Sequence, residues 1–462
     1  MMPSDLFDPQ LLGIQSGMPG LQWPPVAKAS NAQLLALVQW LERSQWLGAC
    51  ALQAGQLLQL KILLTHFERQ SPWVQKRMAL HRCRADQLCR SLERFTQWPV
   101  TTRADVQRAG TAFHSRVVPA AHKPVAAKKT SGSTGQPVRV YRTAVNQLFW
   151  LATTLREHLW HRRDPKARLA VVRANLAQAF DRQNWGSPVG NLFDSGPSHG
   201  MPVTTDTQAL LAWLLRIEPQ YLLVYPSVWS AILDQLPPGK GLQGLIQVRT
   251  IGETLSDDLR SRTLRQLGVP MVDTYSSEEV GVIAIQCPHS GLYHTMAEGL
   301  IVEILTPDNQ PCETGQVGRV VVTDLLNFAS PMLRYDIGDY AEVGPACQCG
   351  RGLSTLKRVL GRERNMVKLP GGRSHWPLTG FHGFGSVANI TQYQLVQKSL
   401  DLIEVCLVVD GQRLTLAHEQ ALSEIISRSM EHRFQYRFVY FAEHIPKPAS
   451  GKFEEFVSDI QT

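Results

Sequence analysis

The sequence predicts an α/β fold: a large N-terminal domain with mostly parallel sheets and an antiparallel β subdomain, then a small C-terminal α+β domain. Short apolar runs alternate with helical stretches from about residue 167, and short strands separated by turn signals fill residues 299–345. The pattern changes again after about residue 366. Alternating strands and helices are typical of a parallel sheet covered by helices. We therefore predict two domains, residues 1–365 and residues 366–462.

Two stretches of the N-terminal domain show the apolar spacing of amphipathic helices. In residues 31–68 and 145–163, apolar side chains recur every three or four positions. Such a helix buries one face against a core. We expect both stretches to pack on the main domain.

The β–α alternation further along the chain predicts four strands and a helix. The helix covers about 228–236, with Ser227 as its N-cap. The predicted strands are 169–172, 221–225, 245–248 and 269–275. Ligands of such sheets bind beyond the carboxyl ends of the strands, so the residues after these strands are the candidate site.

The remaining elements are shorter and turn-rich. The antiparallel subdomain is predicted from strands at 299–305, 318–323 and 340–343. The C-terminal domain is predicted from strands near 392–396, 403–409 and 437–441 and a helix near 418–432. That is enough for a small α+β domain.

The composition fits a globular protein with anionic ligands. The chain has 462 residues, 44% of them hydrophobic, which is enough for a substantial core. The formal net charge is +8, with Lys and Arg scattered. Basic patches favour nucleotides, CoA or an acidic carrier protein. No zinc-finger repeat or ribonucleoprotein signature occurs, so we expect no nucleic-acid partner.

The sequence predicts a cytoplasmic protein without a membrane span. No run of 18 uncharged apolar residues occurs, and the N-terminus MMPSDLFDPQ lacks the regions of a signal peptide. In that compartment the eight cysteines are expected to be thiols or metal ligands rather than disulfides.

A glycine-hydroxyl run after Lys128 and Lys129 suits a loop that wraps a polyphosphate. Its members are Thr130, Ser131, Gly132, Ser133, Thr134 and Gly135. Glycines let backbone N–H groups approach phosphate oxygens, and the hydroxyls add donors. The common P-loop ends in Gly-Lys-Ser/Thr, whereas Gln136 and Pro137 follow here, which disfavours a P-loop NTPase. A flexible loop is the alternative.

Polar and aromatic residues follow two predicted strands. They are Gly252, Glu253, Tyr275, Ser276 and Glu279. An aromatic ring at a strand end can stack on a purine. A carboxylate near phosphates can hold Mg²⁺, which takes only one or two protein carboxylates.

Three later positions extend this series. Asp339 follows a glycine turn and could accept hydrogen bonds from ribose hydroxyls. Arg362 follows Gly361, and Lys452 lies in a Pro-Ala-Ser-Gly-Lys run typical of a loop.

In this order the series resembles the adenylate-forming superfamily of acyl-CoA synthetases, adenylation domains and luciferases, closest to the phenylacetate-CoA ligase and CapK-like branch. The resemblance implies a mobile C-terminal domain and a phosphate loop at 128–137. It also implies adenine stacking by Tyr275, magnesium binding by Glu279 and ribose binding by Asp339. Arg362 would begin the hinge and face the nucleotide, and Lys452 would contact carboxylate and phosphate.

The resemblance also implies a reaction. A carboxylic acid, by default phenylacetate-like or another aryl acid, attacks the α-phosphate of ATP and becomes an acyl-adenylate. The acyl group then passes to CoA, a carrier-protein thiol or an amine. Residues around 225–230, 251–255 and 275–283 are expected to line the acid pocket, with Trp229, Val282 and Ile283 among them.

Three departures from the family pattern favour an alternative, a catalytically weak nucleotide-binding scaffold. Gln136 stands where the phosphate loop often carries Lys, and Glu278 stands before the magnesium glutamate instead of Thr or Ser. Asn365 takes the place of the hinge aspartate.

Two thiol-bearing clusters could close a tetrahedral zinc site. The candidate ligands are Cys287, His294, Cys347 and Cys349, with His289 as the substitute for His294. Because Cys-x-Cys is tighter than the usual spacing, reduced thiols on loops are the alternative. The resemblance favours zinc, since some members of the phenylacetate-ligase branch carry a structural zinc of this kind. Four protein ligands would make the site structural.

Overall fold

A computed structural model of the chain describes most of its residues. The described ranges are 13–21, 24–129, 138–237, 239–362, 365–372, 374–375, 384–411, 413–430, 432–442, 444–446 and 454–460. Residues 130–137 of the predicted phosphate loop and the predicted catalytic Lys452 lie outside them. All eight cysteines are free of disulfides. In the described part of the chain, no helix is long and apolar enough to cross a membrane.

Thirteen α-helices lie within the described residues. They are α1 (Ala32–Ser44), α2 (Ala49–Gln70), α3 (Pro72–Leu80), α4 (Ala85–Leu88), α5 (Leu92–Phe95), α6 (Arg103–Ala109), α7 (Ala144–Trp160), α8 (Val189–Leu192), α9 (Thr207–Ile217), α10 (Pro226–Gln235), α11 (Asp257–Leu267), α12 (Phe384–Val387) and α13 (Leu416–Ser429). Capping boxes begin α6 and α7, where the Thr102 and Thr143 hydroxyls accept backbone N–H bonds.

Twenty strands accompany these helices over the same residues. They are β1 (Val125–Lys129), β2 (Arg139–Thr143), β3 (Leu169–Arg173), β4 (Phe180–Arg182), β5 (Ser198–Pro202), β6 (Tyr221–Val224), β7 (Gln247–Ile251), β8 (Met271–Ser277), β9 (Gly281–Gln286), β10 (Tyr293–Thr295), β11 (Leu300–Leu305), β12 (Val317–Asp324), β13 (Tyr335–Val343), β14 (Thr355–Arg362), β15 (Val367–Lys368), β16 (Ser374–His375), β17 (Ile390–Gln397), β18 (Leu402–Val409), β19 (Gln435–Phe441) and β20 (Phe456–Ser458).

The first of two compact units takes in described residues of 1–167, 181–198 and 274–359. Strands β11, β12 and β13 pair antiparallel, as do β14 with β10 and β10 with β9. Their inner faces supply Ile283, Val320, Val322 and Tyr335, all nearly inaccessible to solvent, to one core. This confirms the predicted antiparallel subdomain. Helices α2 and α3 bury their apolar stripes in a second core.

The second unit takes in described residues of 168–180, 199–273 and 360–462. Strands β3, β6 and β7 pair in parallel, with Leu222 paired to Val248. Helices α9, α10 and α11 cover these strands in one core, as the β–α alternation predicts. A separate four-stranded sheet of order β19-β18-β17-β20 packs on α13. The α/β fold class is thereby confirmed, and the predicted boundary at 365/366 stays a prediction.

Two sequence predictions are wrong in detail. Helix α10 begins at Pro226 with Tyr225 as its N-cap, so Ser227 lies inside the first turn. Proline suits the first helical position because its missing N–H would be unpaired there. The strand expected at 245–248 runs over β7, two residues later.

Candidate active site

The predicted magnesium ligand lies in a β-hairpin of the first unit. Strands β8 and β9 pair antiparallel with Ser277 opposite Gly281, so residues 278–280 form the connecting loop. Gly281 has φ +87°, a conformation that glycine adopts without strain. The loop leaves Glu278 exposed and buries Glu279, which is 7% exposed.

An arginine far away in the sequence lies beside this carboxylate. Arg103 begins α6, and its Nη1 lies 3.9 Å from Glu279 Oε1. The segment before it is fixed, because the Thr101 N–H donates to Arg334 O at 2.8 Å and the Thr101 hydroxyl donates to Leu333 O at 2.7 Å. Sequence analysis missed Arg103, since an ion pair between distant segments leaves no local pattern.

The structure brings the predicted adenine and ribose residues together. The Tyr275 hydroxyl donates to Asp339 Oδ2 at 2.9 Å. Tyr275 is 7% exposed, and Asp339 follows Gly338, which turns the chain with φ +84°. Ser276 lies beside a bulge, where the pairing register with β9 shifts. This hydrogen bond holds the Asp339 carboxylate toward the end of β8 that leads to Glu279.

Three further predicted residues belong to the second unit. Gly252 has φ +78°, and Glu253 accepts hydrogen bonds from Ser227 N at 2.9 Å and Ser227 Oγ at 3.1 Å. The Glu253 carboxylate thereby caps α10, where negative charge is favoured. The backbone N–H of Arg362 donates to Asn365 Oδ1 at 3.0 Å.

Asn365 makes two hydrogen bonds through its side-chain amide. Its Nδ2 donates to the Phe456 carbonyl at 2.7 Å while its Oδ1 accepts from Arg362. An ionised carboxylate has no hydrogen to donate, so only an amide makes both bonds.

A narrow cavity of about 30 Å³ lies next to the hairpin loop. Phe149 and Trp150 of α7 line it, together with Val280, Val282 and Arg142. Sequence analysis expected Val282 at such a site. Its other two expected lining residues lie in hydrophobic cores instead.

These two residues are Trp229 and Ile283, each 0% exposed. The Trp229 Nε1–H donates to Thr263 at 2.9 Å, within the α10 and α11 packing. Their burial explains why apolar character alone does not separate a pocket wall from a core.

The four predicted zinc ligands converge in the first unit. Ligand atoms of Cys287, His294, Cys347 and Cys349 all lie within 4.8 Å of one another. Cys287 and Cys347 sulfurs are 3.8 Å apart, and Cys349 Sγ is 3.3 Å from His294 Nε2. Two sulfurs bound to one tetrahedral zinc at about 2.3 Å would be roughly 3.8 Å apart. His289, the substitute, is not in the cluster.

The surroundings of His294 and Cys287 favour metal binding. His294 Nδ1 lies 3.2 Å from the Leu353 carbonyl and Nε2 lies 3.3 Å from Cys349 Sγ, so a ring protonated on Nδ1 would leave the Nε2 lone pair for a metal ion. Burial alone would raise the pKa of Cys287, but hydrogen bonds from His294 and from the His289 and Ser290 N–H groups outweigh it and lower the pKa to about 5.

A family model described as AMP-binding enzyme matches residues 58–328, and one described as CapK C-terminal domain matches 381–459. The phenylacetate-coenzyme A ligase of Escherichia coli (strain K12) is 24% identical over 403 residues, which span 83% of this chain and 88% of that protein. The phenylacetate-coenzyme A ligase of Pseudomonas putida is 24% identical over 339 residues, 70% of this chain and 73% of that protein.

Among solved structures, the fold is similar to 2-hydroxyisobutyryl-CoA ligase in its postadenylation state with 2-HIB-AMP. The TM-score is 0.71 at 17% identity, over 90% of this chain and 91% of that one. The AMP-binding enzyme model spans more than half of the chain. The chain therefore belongs to the AMP-binding enzyme family of adenylate-forming ligases, as its motif series predicts.

Proposed function

We propose that the protein activates an aryl or similar carboxylic acid with ATP, forms an acyl-adenylate and transfers the acyl group to the thiol of CoA. The observation that carries this proposal is the hairpin that holds buried Glu279 next to the Tyr275–Asp339 hydrogen bond. The CoA acceptor is supported by relatives named as CoA ligases. A carrier-protein thiol or an amine is the alternative acceptor.

The first unit would bind the nucleoside and the metal. Asp339 would accept hydrogen bonds from the ribose, and Tyr275 would hold that carboxylate in place while its ring meets the base. Glu279 fits a magnesium ligand, because it is a buried carboxylate in a loop at a strand end. Bound there, magnesium would neutralise charge on the phosphates.

Other parts of the chain would complete the site. Thr130, Ser131, Gly132, Ser133, Thr134 and Gly135 would cradle the phosphates through backbone and hydroxyl donors. Gly252, Glu253, Ser276 and Arg362 would contact the nucleotide. Lys452 would stabilise the negative charge that develops as the acid attacks the α-phosphate.

Acid-dependent pyrophosphate release tests the reaction. With ATP, magnesium and a panel of aryl and fatty acids, release should depend on one acid class and rise when CoA is added. Lys452→Ala should abolish this release because it removes a positive charge that offsets transition-state charge. Circular dichroism of the variant should match the wild type.

Three results would contradict parts of the proposal. Full activity of Lys452→Ala would refute the role of the lysine. ATP binding without release for any acid would favour the nucleotide-binding scaffold, which Gln136 and Glu278 make the second candidate. ATP hydrolysis without any acid would indicate an NTPase.

We further propose that Cys287, His294, Cys347 and Cys349 hold a structural zinc. Three sulfurs and one imidazole are one of the donor sets of structural zinc, and the separations fit one ion. Four protein ligands leave no open position, so the metal would join β9, β10 and the loop before β14 rather than act on substrate.

Metal quantification checks the zinc proposal. Chelator-washed wild-type protein should retain about one equivalent, because a closed thiolate site binds zinc tightly. Cys349→Ser should lose zinc and unfold at a lower temperature. Cys50→Ser, at an exposed cysteine outside the cluster, is the matched control and should keep it. Zinc below roughly a tenth of an equivalent in wild type would exclude a tight site.

A further inference from the structure

Helix α2 is apolar on two opposite sides. Its inner side buries Leu60, Leu64 and Phe67 in a core to which α3, α4 and α5 also contribute. On its outer side, Leu58 is 67% exposed and Ile62, one turn later, is 51% exposed. A surface helix of a globular protein normally carries charged and polar residues on the side opposite its core. The outer side of α2 departs from this rule.

The end of α3 adds to this exposed apolar surface. Leu80 is 75% exposed and lies one turn after exposed Lys76, on a side of α3 that points away from buried Val74 and Met78. Because α2, α3, α4 and α5 pack their inner sides in one core, their outer sides face solvent together. We call this surface the outer face of α2–α5.

The same helices carry most of the excess positive charge of the chain. Residues 49–95 include eight Lys or Arg and three Asp or Glu, a net charge of +5 within about a tenth of a chain whose total is +8. All eight basic residues are exposed except Arg77, which lies against the rings of Trp73 and Trp98. The Lys and Arg residues that look scattered in the sequence are therefore concentrated on one surface.

Neighbouring charges leave this face positive. Two of its three acidic residues lie beside one arginine: Arg84 Nε is 3.4 Å from Asp86 Oδ1 and 3.9 Å from Glu68 Oε1. At the end of α2, the N–H of exposed Arg116 donates to the Gln70 carbonyl at 2.9 Å, which adds a further positive charge from outside these helices. The outer face thus combines exposed aliphatic side chains with a net positive charge.

We propose that the outer face of α2–α5 binds the surface of a membrane that contains anionic lipid. Leu58, Ile62 and Leu80 enter the boundary between headgroups and acyl chains, and the lysines and arginines bind lipid phosphates. Their methylene stems can lie among apolar groups while the charges stay at the headgroups. A nucleic acid would pair with the basic residues but leave the aliphatic ones without an apolar partner. A second copy of the chain would bring another positive surface to this one, which like charges oppose.

Co-sedimentation of the full-length protein with lipid vesicles tests the proposal. One set of vesicles contains equal parts of phosphatidylglycerol and phosphatidylcholine, and the other contains phosphatidylcholine alone. In about 0.1 M salt, the anionic vesicles should bind the protein at least about tenfold more tightly than the neutral ones. In about 1 M salt most of this difference should disappear, because the screening length falls to about 3 Å.

Removing two positive charges from the face should weaken binding to the anionic vesicles at least about tenfold. The variant is Lys76→Gln with Arg90→Gln, and each basic residue near an anionic surface contributes about fivefold in affinity. Arg216→Gln with Lys240→Gln removes the same charge from exposed positions of the second unit and is the matched control. It should bind the vesicles within about twofold of the wild type.

Making the aliphatic positions polar should weaken the same binding at least about tenfold, because two side chains lose their transfer into an apolar environment. The variant is Leu58→Gln with Leu80→Gln. Leu264→Gln with Leu416→Gln, at exposed leucines outside the face, is the control and should bind like the wild type. All these positions are exposed, so circular dichroism of the variants should match the wild type.

Several outcomes would overturn the proposal: no binding to the anionic vesicles, equal binding to the neutral ones, or equal losses in the face variants and their controls. Light scattering of the protein without lipid tests the competing occupant. A wild-type dimer that Leu58→Gln with Leu80→Gln converts to a monomer would also overturn the proposal, because the face would then bind a second copy of the chain. The inference does not depend on the proposed reaction, since vesicle binding is measured without ATP or an acid.

Discussion

Glu279→Gln is expected to lower acid-dependent pyrophosphate release by about 10²- to 10³-fold. The amide keeps the shape of the side chain but loses the negative charge that would hold magnesium near the phosphates. The Arg103 guanidinium, 3.9 Å from the carboxylate in wild type, would then face a neutral group. Both changes weaken the arrangement that offsets phosphate charge in the transition state.

The neighbouring residue Glu278 provides the matched control for Glu279→Gln. Glu278→Gln removes the same charge one residue earlier, at an exposed side chain. Its effect on release should be at least about tenfold smaller, because exposed charges interact weakly through water. The measurement is initial rate against magnesium concentration, where Glu279→Gln should also require more magnesium. Equal losses in the two variants would refute the assignment of Glu279.

Arg156→Met should destabilise the protein by about 3–5 kcal/mol, since it leaves a buried carboxylate without its partner. Arg156 is 1% exposed, and its Nη1 and Nη2 donate to the two oxygens of Glu298 at 3.1 Å and 2.7 Å. Burial alone would raise the pKa of Glu298, but this pair and the Ser44 hydrogen bond lower it. The pair therefore contributes stability above the ordinary carboxyl pKa of 4.5, which is lost as the pH falls through the lowered pKa.

Urea unfolding at neutral pH would measure this loss as a shift of the transition midpoint. Arg108→Met is the control, because Arg108 pairs with Asp105 while 76% exposed. It should change stability by less than about 1 kcal/mol. A loss for Arg156→Met as small as that of the control would show that Glu298 finds another partner or becomes neutral.

Elements that depend on neighbouring residues could be predicted from the sequence. Elements that form only by pairing with a distant segment could not. Helix α7 covers Ala144–Trp160, close to the predicted 145–163. The prediction succeeded because the apolar spacing and the cap of this helix involve residues that are near one another in sequence. Strand β20 was missed. Its three residues carry no alternation of their own and form a strand only because Leu395 of β17 pairs with Phe456.

The residues of the candidate site also fall into those that the sequence predicts and those that it does not. Tyr275, Glu279 and Asp339 could be predicted because they follow strands or turns in an order that a family shares. Arg103 and Arg142 could not, since a charged residue is usually exposed and only the folded chain puts these two beside Glu279. The zinc candidates were predicted as a set because three thiols and a histidine share one preferred ion.

The two hydrogen bonds of Asn365 tie a backbone turn to a strand that follows much later. The Arg362 N–H donates to Asn365 Oδ1, and Asn365 Nδ2 donates to the carbonyl of Phe456, which lies 91 residues after Asn365. Contacts of such separation form late in folding, because a long loop must close first. Detachment of β20 breaks the bond from Asn365 to Phe456, so we expect amide hydrogens of β20 and of the turn at Arg362 to exchange at similar rates.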